Sequence, residues 1–203
     1  MKIMCIGRNY VDHIKELENE VSGDPVVFLK PDTALLRNAN PFYIPDFADE
    51  FHYEVELLVR INKLGKNIEP EFAHRYYEEI GIGIDFTARD LQNKLRKKGL
   101  PWEKCKAFDS SAAVSEFVPK SKYPDINNIN FHLDINGETR QKGNSSMMIY
   151  KIDTIVSHLS KYFTLKIGDI IFTGTPAGVG PVKIDDRLQL YIEDELMLDF
   201  MIK

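Results

Sequence analysis

One stretch decides how the remaining chain can fold, and it reads Phe51-His52-Tyr53-Glu54-Val55-Glu56-Leu57-Leu58-Val59-Arg60. Side chains alternate between the two faces of a strand, so the stretch predicts a single strand with two different faces. One face is wholly apolar and can enter a core; it holds Phe51, Tyr53, Val55, Leu57 and Val59. The other face holds His52, Glu54 and Glu56. The strand therefore sets a charged face against a buried one.

The two glutamates of this face are candidate metal ligands. Residues two apart on one strand face have backbones roughly 6.5 to 7 Å apart, so Glu54 and Glu56 can converge on one cation. A third carboxylate follows from the alternation in Ile80-Gly81-Ile82-Gly83-Ile84-Asp85, which puts Asp85 on the face that two glycines leave open to another backbone or a ligand. A solvated strand face is the alternative, and it is the commoner explanation of acidic alternation.

Composition narrows the class of protein. With 203 residues, of which 43% are hydrophobic and 28% charged, we expect one domain over residues 1–203 with a sizeable core. A formal net charge of -5 argues against a nucleic-acid partner. Cys5 and Cys105 lack any CxxC spacing and fit a reducing cytoplasm, and no apolar run of about 18 residues predicts a membrane span. We therefore expect a cytoplasmic protein that acts on small molecules, with no membrane partner.

A histidine and a glutamate follow the first predicted strand. A helical turn after Asn9 would place His13 and Glu16 three residues apart on one face, as neighbours. A carboxylate beside an imidazole can orient the ring and raise its basicity, which suits a general base near neutral pH. An ordinary ion pair on an exposed turn is the commoner alternative.

Three further polar side chains are candidates for anion binding. Lys30 ends a strand just before Pro31, where it can point at an anion or be an ordinary strand-end lysine. In the Gly/Pro-rich loop 173–181, the Thr175 hydroxyl and free backbone N–H groups can bind a carboxylate or an enolate oxygen. Gln92, one turn into a predicted helix, faces back toward Asp85. The loop lacks the Lys-Ser/Thr of a phosphate-binding P-loop, so nucleotide binding is not expected.

Several other segments predict regular secondary structure or loops. Asn136-Gly137 predicts a tight turn in a hairpin over residues 129–142. Apolar residues from Ile152 to Phe163 recur at helical spacing. Residues 100–109 read as a loop, and residues 182–202 as two short strands.

Taken in order, these segments resemble the fumarylacetoacetate hydrolase superfamily. The likeness covers nearly the whole chain and looks closest to the single-domain branch that includes acylpyruvate hydrolases and oxaloacetate decarboxylases or tautomerases. The motifs that carry it are Gly7-Arg8-Asn9-Tyr10 with His13, Phe28-Leu29-Lys30-Pro31, His52-Tyr53-Glu54-Val55-Glu56-Leu57, Asp85-Phe86-Thr87-Ala88-Arg89-Asp90, Gly99-Leu100-Pro101-Trp102, and Gly168-Asp169-Ile170-Ile171 leading to Thr173-Gly174-Thr175-Pro176.

The resemblance assigns expected roles to residues of this chain. It implies a Mg²⁺ or Mn²⁺ site formed by Glu54, Glu56 and Asp85. It implies that His13 and Glu16 are an acid–base pair on a mobile lid, although the stretch from Glu16 to Asp24 is short for one. Two further groups of expected functional residues follow from it: a catalytic lysine, Lys106, and substrate contacts from Arg8, Lys30, Gln92 and Thr175.

The resemblance also implies a fold and an assembly. The fold would be of the α+β class and β-rich, a mixed β-sheet roll or sandwich with flanking helices, and the protein a homodimer. The expected domain is the catalytic one alone, without the separate N-terminal domain of the full-length fumarylacetoacetase.

The chemistry leaves three hypotheses open. Three carboxylates form a hard, all-oxygen site that favours Mg²⁺ or Mn²⁺ and suits a small 2-oxo or 2,4-dioxo acid. The first hypothesis is hydrolysis of an acylpyruvate: His13 and Glu16 activate water, Lys106 steadies the oxyanion, and the metal stabilises the pyruvate enolate that leaves. The second is tautomerisation or decarboxylation of oxaloacetate at the same metal site. The third is a metal-binding scaffold without activity.

Overall fold

The computed structural model describes residues 1–16, 23–37 and 39–203. Residues 17–22, which make up most of the expected lid, and Asn38 lie outside the described residues. In chain order the strands are β1 (Ile3–Gly7), β2 (Val26–Lys30), β3 (Leu35–Leu36), β4 (Phe51–Tyr53), β5 (Val55–Ile61), β6 (Tyr77–Asp85), β7 (Thr87–Ala88), β8 (Ala112–Val114), β9 (Val118–Pro119), β10 (Asn130–Ile135), β11 (Glu138–Asn144), β12 (Ile170–Phe172), β13 (Gly180–Pro181), β14 (Arg187–Ile192) and β15 (Glu195–Met201).

The helices are fewer and shorter than the strands. They are α1 (Val11–Glu16), α2 (Arg89–Lys97), α3 (Glu103–Lys106) and α4 (Ile152–Tyr162), with 3₁₀ turns at Asp32–Ala34, Pro70–Arg75, Lys120–Lys122 and Ser145–Met147. Among the described residues no helix is both long and apolar enough to cross a membrane.

The strands form three sheets that share one core. The largest has the order β2-β1-β12-β5-β6-β8-β3, with β9 also paired to β6. It is mixed, because β1 runs parallel to β12 and β3 parallel to β8, whereas β5 and β6 are antiparallel. The second sheet has the order β11-β10-β14-β15, and the third β13-β4-β7. Mixed sheets with helices beside them are the β-rich α+β architecture that the sequence predicts.

The stretch from Phe51 to Arg60, which the sequence predicts as one continuous strand, forms two strands, β4 and β5. That prediction is therefore wrong. β4 pairs with β7 and β13 in the small sheet, whereas β5 pairs with β12 and β6 in the large one. The chain changes sheets at Glu54, because the Val55 N–H is donated to the side-chain oxygen of Gln141, at 2.9 Å, and not to a neighbouring strand. The apolar face is as predicted: Phe51, Tyr53, Val55, Leu57 and Val59 are all buried.

The glycines of β6 admit another strand. A Cβ on Gly83 would overlap the carbonyl oxygen of Ala113, so the space is filled by the backbone of β8. The sequence predicts that either another backbone or a ligand approaches the glycine face of β6, and at Gly83 the structure shows another backbone. Asp85 ends the strand beyond this contact, fully buried.

Among the other predicted elements, the hairpin, one helix and the last two strands are confirmed, and one predicted loop is wrong. The hairpin is confirmed: Asn136 and Gly137 have φ of 54° and 80°, the double left-handed turn that Asn-Gly favours. Helix α4 and strands β14 and β15 are also where they were expected. The prediction that residues 100–109 form a loop is wrong, since α3 lies within them and buries Cys105 and Lys106.

Candidate active site

Three carboxylates meet in the interior. Glu54 lies at the break between β4 and β5, Glu56 lies in β5, and Asp85 ends β6. One oxygen from each lies within 4.8 Å of the other two. All three residues are at most 5% exposed. The structure therefore brings together the three side chains that the sequence proposes as metal ligands, and it excludes the alternative of a solvated strand face.

The three carboxylates differ in charge environment. Burial raises the pKa of Glu56 well above its ordinary value, and the charges of Asp85 and Glu54 raise it further. Burial also acts to raise the pKa of Glu54, but the positive charges of Lys106 and Arg89 lower it overall. The nearby lysine and arginine side chains therefore stabilise the ionised form of Glu54 more than that of Glu56.

Lys106 is the main internal counter-ion. Its ammonium donates to Glu54 Oε2 at 2.8 Å, to Asp85 Oδ2 at 2.6 Å and to the hydroxyl of Thr87 at 2.6 Å. Burial acts to lower the pKa of Lys106, but Asp85 and Glu54 raise it above its ordinary value. The lysine is thus charged, and in this arrangement its three N–H groups are all engaged by the protein.

Lys30 lies behind Asp85. Its ammonium is 2.7 Å from Asp85 Oδ1, and it also donates to the Ser111 carbonyl at 3.1 Å, the Ser111 hydroxyl at 2.9 Å and the carbonyl of Lys106. Within the described part of the chain, Asp85 Oδ1 has the Lys30 ammonium as its ion-pair partner and accepts no other hydrogen bond. The anion that Lys30 binds is therefore the carboxylate of Asp85. Lys30 does not line the cavity, so the structure does not place it where a substrate contact was expected.

His13 and Glu16 are neighbours on α1, as the sequence predicts. His13 Nδ1 lies 3.2 Å from Glu16 Oε2, and the other carboxylate oxygen of Glu16 accepts from the N–H of Gly178 at 3.0 Å. His13 is only 5% exposed, so the pair is not an ordinary surface ion pair. Because Glu16 occupies Nδ1, the second ring nitrogen of His13 is left for a ligand in the cavity.

The Gly/Pro-rich loop joins these two groups. Gly174 N–H donates to Glu56 Oε2 at 2.6 Å, and Thr175 accepts a hydrogen bond from the Gln141 amide at 2.9 Å. Asn9, just before α1, donates to the carbonyl of Thr173 at 2.7 Å. One loop thus fixes a proposed metal ligand and, through Asn9 and Gly178, both ends of the helix that presents His13.

The cavity gathers most of the predicted residues. It is lined by Ile6, Gly7, Arg8, His13, Phe28, Glu54, Glu56, Asp85, Arg89, Gln92, Arg96, Trp102, Lys106 and Thr175. Of the proposed substrate contacts, Arg8, Gln92 and Thr175 are therefore brought to the same space as the carboxylates.

Two polar residues of this region escape sequence reasoning. Arg89 is the first residue of α2, and each of its three guanidinium nitrogens donates a hydrogen bond. The acceptors are Glu54, Gln92 Oε1 at 2.5 Å and His52 Nδ1 at 3.3 Å. Its place in the Asp85 to Asp90 motif, three residues before Gln92, was the available signal. Gln141 supports Val55, Thr175 and Pro176 from β11, and its position in a hairpin strand offered none.

The donor set fits a hard divalent cation. Three buried carboxylates with no sulfur or imidazole among them are the ligands that Mg²⁺ and Mn²⁺ prefer. Glu54, Glu56 and Asp85 are therefore the residues that could hold the metal.

Comparison with known proteins identifies relatives over most of the chain. The profile of the family described as fumarylacetoacetate (FAA) hydrolase C-terminal matches residues 2–199. The chain is 45% identical over 201 residues to a mitochondrial oxaloacetate tautomerase of Mus musculus, covering 99% of this chain and 91% of that protein. It is 43% identical over 188 residues to an oxaloacetate tautomerase of Escherichia coli strain K12, covering 92% and 86%.

Solved structures share the fold over the whole chain. The fumarylpyruvate hydrolase of Pseudomonas aeruginosa, crystallised with Mn²⁺ and pyruvate, superposes with a TM-score of 0.93 at 34% identity, covering 100% of this chain and 89% of that one. The β-rich α+β class is thus confirmed.

Proposed function

The chain belongs to the fumarylacetoacetate hydrolase family, and on that premise we propose that it is a divalent-metal-dependent oxaloacetate tautomerase. The observation that carries the proposal is the position of His13, which Glu16 contacts at Nδ1 and which lines the same cavity as the three carboxylates. Keto–enol interconversion of a 2-oxo acid needs a proton-transfer group beside a site that polarises the keto oxygen. Relatives that are 43% and 45% identical and bear this activity in their names support it.

Residues of the chain divide the work of such a reaction. A divalent cation held by Glu54, Glu56 and Asp85 supplies, when bound, a positive charge that polarises the 2-keto group. In the keto-to-enol direction His13 takes a proton from C3 through the ring nitrogen that Glu16 leaves open, and the 2-oxygen of the resulting enolate takes a proton from water; the reverse direction runs both transfers backwards. Glu16 holds the ring in position and stabilises the charge that the ring gains.

The other groups keep the site in order. Lys106 and Lys30 hold Glu54 and Asp85 in position and balance part of their charge. Gln92 and Thr175 offer hydrogen-bonding groups to the substrate carboxylate. Gln92 is oriented by Arg89, and the Thr175 hydroxyl by the Gln141 amide. We propose Arg89 and Gln141 as positioning residues for this reason.

Acylpyruvate hydrolysis is the second candidate. The same His13–Glu16 pair can deprotonate a water, and the Mn²⁺ and pyruvate in the fumarylpyruvate hydrolase structure support a reaction that releases pyruvate. Decarboxylation of oxaloacetate, which needs no water nucleophile, is a further variant at the same site. The three reactions differ in their products and not in the metal they require.

One assay separates them. The protein, stripped with a chelator and reloaded with Mg²⁺ or Mn²⁺, is given oxaloacetate and acetylpyruvate in parallel; loss of the enol absorbance is followed and products are identified by NMR. Accelerated loss of enol with all four carbons retained supports the tautomerase. Pyruvate and carbon dioxide from oxaloacetate indicate the decarboxylase, and pyruvate with acetate from acetylpyruvate alone indicates the hydrolase.

Assembly and location remain proposals. A homodimer follows from the resemblance and from the general frequency of two-fold symmetric assemblies, and light scattering of the purified protein would measure it. A cytoplasmic location follows from cysteine usage and is supported by the bacterial relative, whereas the mammalian relative is mitochondrial.

A further inference from the structure

One histidine next to the metal ligands has no part in the reaction described above. His52 lies two residues before Glu54 and is not among the described residues that line the cavity. Its side chain is 13% exposed, and both of its ring nitrogens have partners. Nδ1 lies 3.3 Å from Arg89 Nε, and Nε2 lies 2.6 Å from Glu50 Oε1. The ring thus connects a carboxylate at the surface to the buried guanidinium beside the three carboxylates.

The two partners determine which ring nitrogen of His52 carries the hydrogen. An arginine Nε–H only donates, so Nδ1 of His52 must accept. The hydrogen is therefore on Nε2, from which it is donated to Glu50. The opposite arrangement, with the hydrogen on Nδ1, would set two N–H groups against each other. Glu50 thus keeps the ring in the form that can accept from Arg89.

The backbone holds these three residues together independently of their side chains. The Arg89 N–H donates to the carbonyl of Glu50 at 2.8 Å, and His52 is paired with Thr87 between β4 and β7. A substitution of the His52 ring therefore removes a hydrogen-bond acceptor and leaves the start of α2 in place. The effect of such a substitution on the site can be measured in a folded protein.

Arg89 transmits the position of the ring to the cavity. Its guanidinium donates to Glu54 Oε1 and to Gln92 Oε1, the latter at 2.5 Å. A planar group held by two acceptors can still pivot about the line that joins them, and the third acceptor, on His52, removes this freedom. Glu54 Oε1 is thereby fixed, so that Oε2 is directed toward Lys106, at 2.8 Å.

We infer that His52 is a positioning residue of the metal site. It fixes Arg89, and through Arg89 it sets the directions of Glu54 and Gln92. Glu50 takes part by holding the ring in the required form. Partners that orient a ligand without touching the metal commonly change metal affinity or activity by about 10- to 100-fold. The inference rests on the proposed function only in that a divalent cation binds at the three carboxylates.

The Mn²⁺ affinity of the metal-stripped protein, measured by isothermal titration calorimetry, tests the inference without turnover. His52→Leu removes the acceptor and should weaken Mn²⁺ binding by about tenfold or more. His52→Asn places an oxygen close to the position of Nδ1, so it should restore most of the affinity.

His132→Leu is the matched control. His132 also lies in a strand and its side chain is 25% exposed, but its ring stacks on Tyr191, with centroids 4.5 Å apart. The Mn²⁺ affinity of this variant should equal that of the wild-type protein.

Glu50→Ala is an independent second variant. The side chain of Glu50 is 47% exposed, so its loss leaves the core intact. The His52 ring can then carry its hydrogen on either nitrogen, and Mn²⁺ binding should weaken by up to about tenfold. In the His52→Asn background, which has no ring to orient, Glu50→Ala should have no further effect. ¹⁵N NMR of the His52 ring reads the position of the hydrogen directly and should show it on Nε2 in the wild-type protein.

The outcomes separate the inference from the proposed function. The inference is refuted if His52→Leu binds Mn²⁺ as tightly as the wild-type protein, or if His132→Leu loses as much affinity. It is also refuted if the hydrogen is on Nδ1, or if Glu50→Ala leaves the affinity unchanged and His52→Asn does not restore it. If His52→Leu loses affinity, His52→Asn restores it and neither oxaloacetate nor acetylpyruvate is turned over, the inference stands and the proposed function fails.

Discussion

Lys106 Nζ lies 2.6 Å from Asp85 Oδ2, in a site where each of these residues is at most 3% exposed. The same ammonium reaches Glu54 at 2.8 Å, so one lysine joins two of the three carboxylates. A buried charge that loses its partner is far more costly than the pair is favourable, because the remaining charge is neither solvated nor paired. The contact therefore ties the stability of the protein to the arrangement of its proposed metal ligands.

The first prediction concerns this lysine. Lys106→Met should lower the free energy of unfolding of the metal-free protein by about 3 kcal/mol, because Glu54 and Asp85 are left with excess buried charge. Mn²⁺ should then raise the melting temperature of the variant more than that of the wild-type protein, since the cation replaces the missing positive charge. Thermal unfolding with and without Mn²⁺ measures both effects.

Lys104→Met is the control for this prediction. Lys104 lies in the same short helix but is exposed. An equal loss of stability in both lysine variants would mean that the helix, and not the ion pair, is responsible.

The second prediction concerns Glu56, whose neighbours Asp85 and Glu54 repel it. Glu56→Gln keeps the shape and can still accept the N–H of Gly174, but it removes a carboxyl group whose ionised form burial and the two neighbouring carboxylates disfavour. The metal-free variant should therefore melt at a higher temperature than the wild-type protein, while Mn²⁺ should no longer raise its melting temperature appreciably. A Glu56→Gln protein that is still stabilised by Mn²⁺ as strongly as the wild type would argue against Glu56 as a ligand.

The centre of the site was accessible from sequence because its residues obey simple periodicities. Alternation in β5 and β6 predicts that Glu56 and Asp85 face a common space, and the three-residue spacing of His13 and Glu16 predicts their contact. These rules need no knowledge of distant partners. The convergence of the carboxylates and the contact between His13 and Glu16 could therefore be predicted before any fold was known.

Long-range contacts account for what the sequence did not reveal. The change of sheet at Glu54 depends on Gln141, which is 86 residues away from Val55, and no local pattern encodes that hydrogen bond. Helix α3 has four residues, too few for a periodic signal, yet it delivers Lys106. Lys30 reads as a strand-end lysine because its partner, Asp85, comes from a different part of the chain.

The third prediction concerns pH and the surface pair Arg187–Asp199. The hydrogen bond from Arg187 lowers the pKa of Asp199 below its ordinary value, despite partial burial. A carboxylate whose folded-state pKa is lowered stabilises the fold above its unfolded pKa of about 3.9, and this contribution is lost as the pH falls through the folded value. Asp199→Asn should therefore lower the melting temperature by about 1 to 2 °C at neutral pH, for an exposed pair.

The difference between wild type and Asp199→Asn should shrink as the pH falls below about 3.9 and disappear once the pH is below the lowered folded-state pKa of Asp199. Melting temperatures from pH 7 to pH 2.5 test this. Asp194→Asn, at an exposed position in the turn between β14 and β15, is the control for removal of one surface charge. A pH-independent difference for Asp199→Asn would show that lost packing, and not the ion pair, is the cause.

The fourth prediction concerns the glycine that brings the Gly/Pro-rich loop to Glu56. Gly174 has φ of 103°, and a Cβ there would lie 2.6 Å from the Cβ of Asn9, whereas at Gly168, with φ of 86°, nothing lies within 4 Å. Both Gly→Ala changes force a left-handed conformation on a side chain, but only Gly174→Ala also pushes against the segment that leads into α1.

Gly174→Ala should therefore reduce the free energy of unfolding by about 1 to 3 kcal/mol more than Gly168→Ala does, as overpacking in a tight site commonly costs. Because Gly174 N–H holds Glu56 and Asn9 anchors the start of α1, Mn²⁺ binding should weaken in Gly174→Ala and stay at the wild-type level in Gly168→Ala. Chemical unfolding and Mn²⁺ titration of the two variants measure these effects. Equal losses in both would mean that backbone strain alone, and not the contact with Asn9, makes glycine necessary at position 174.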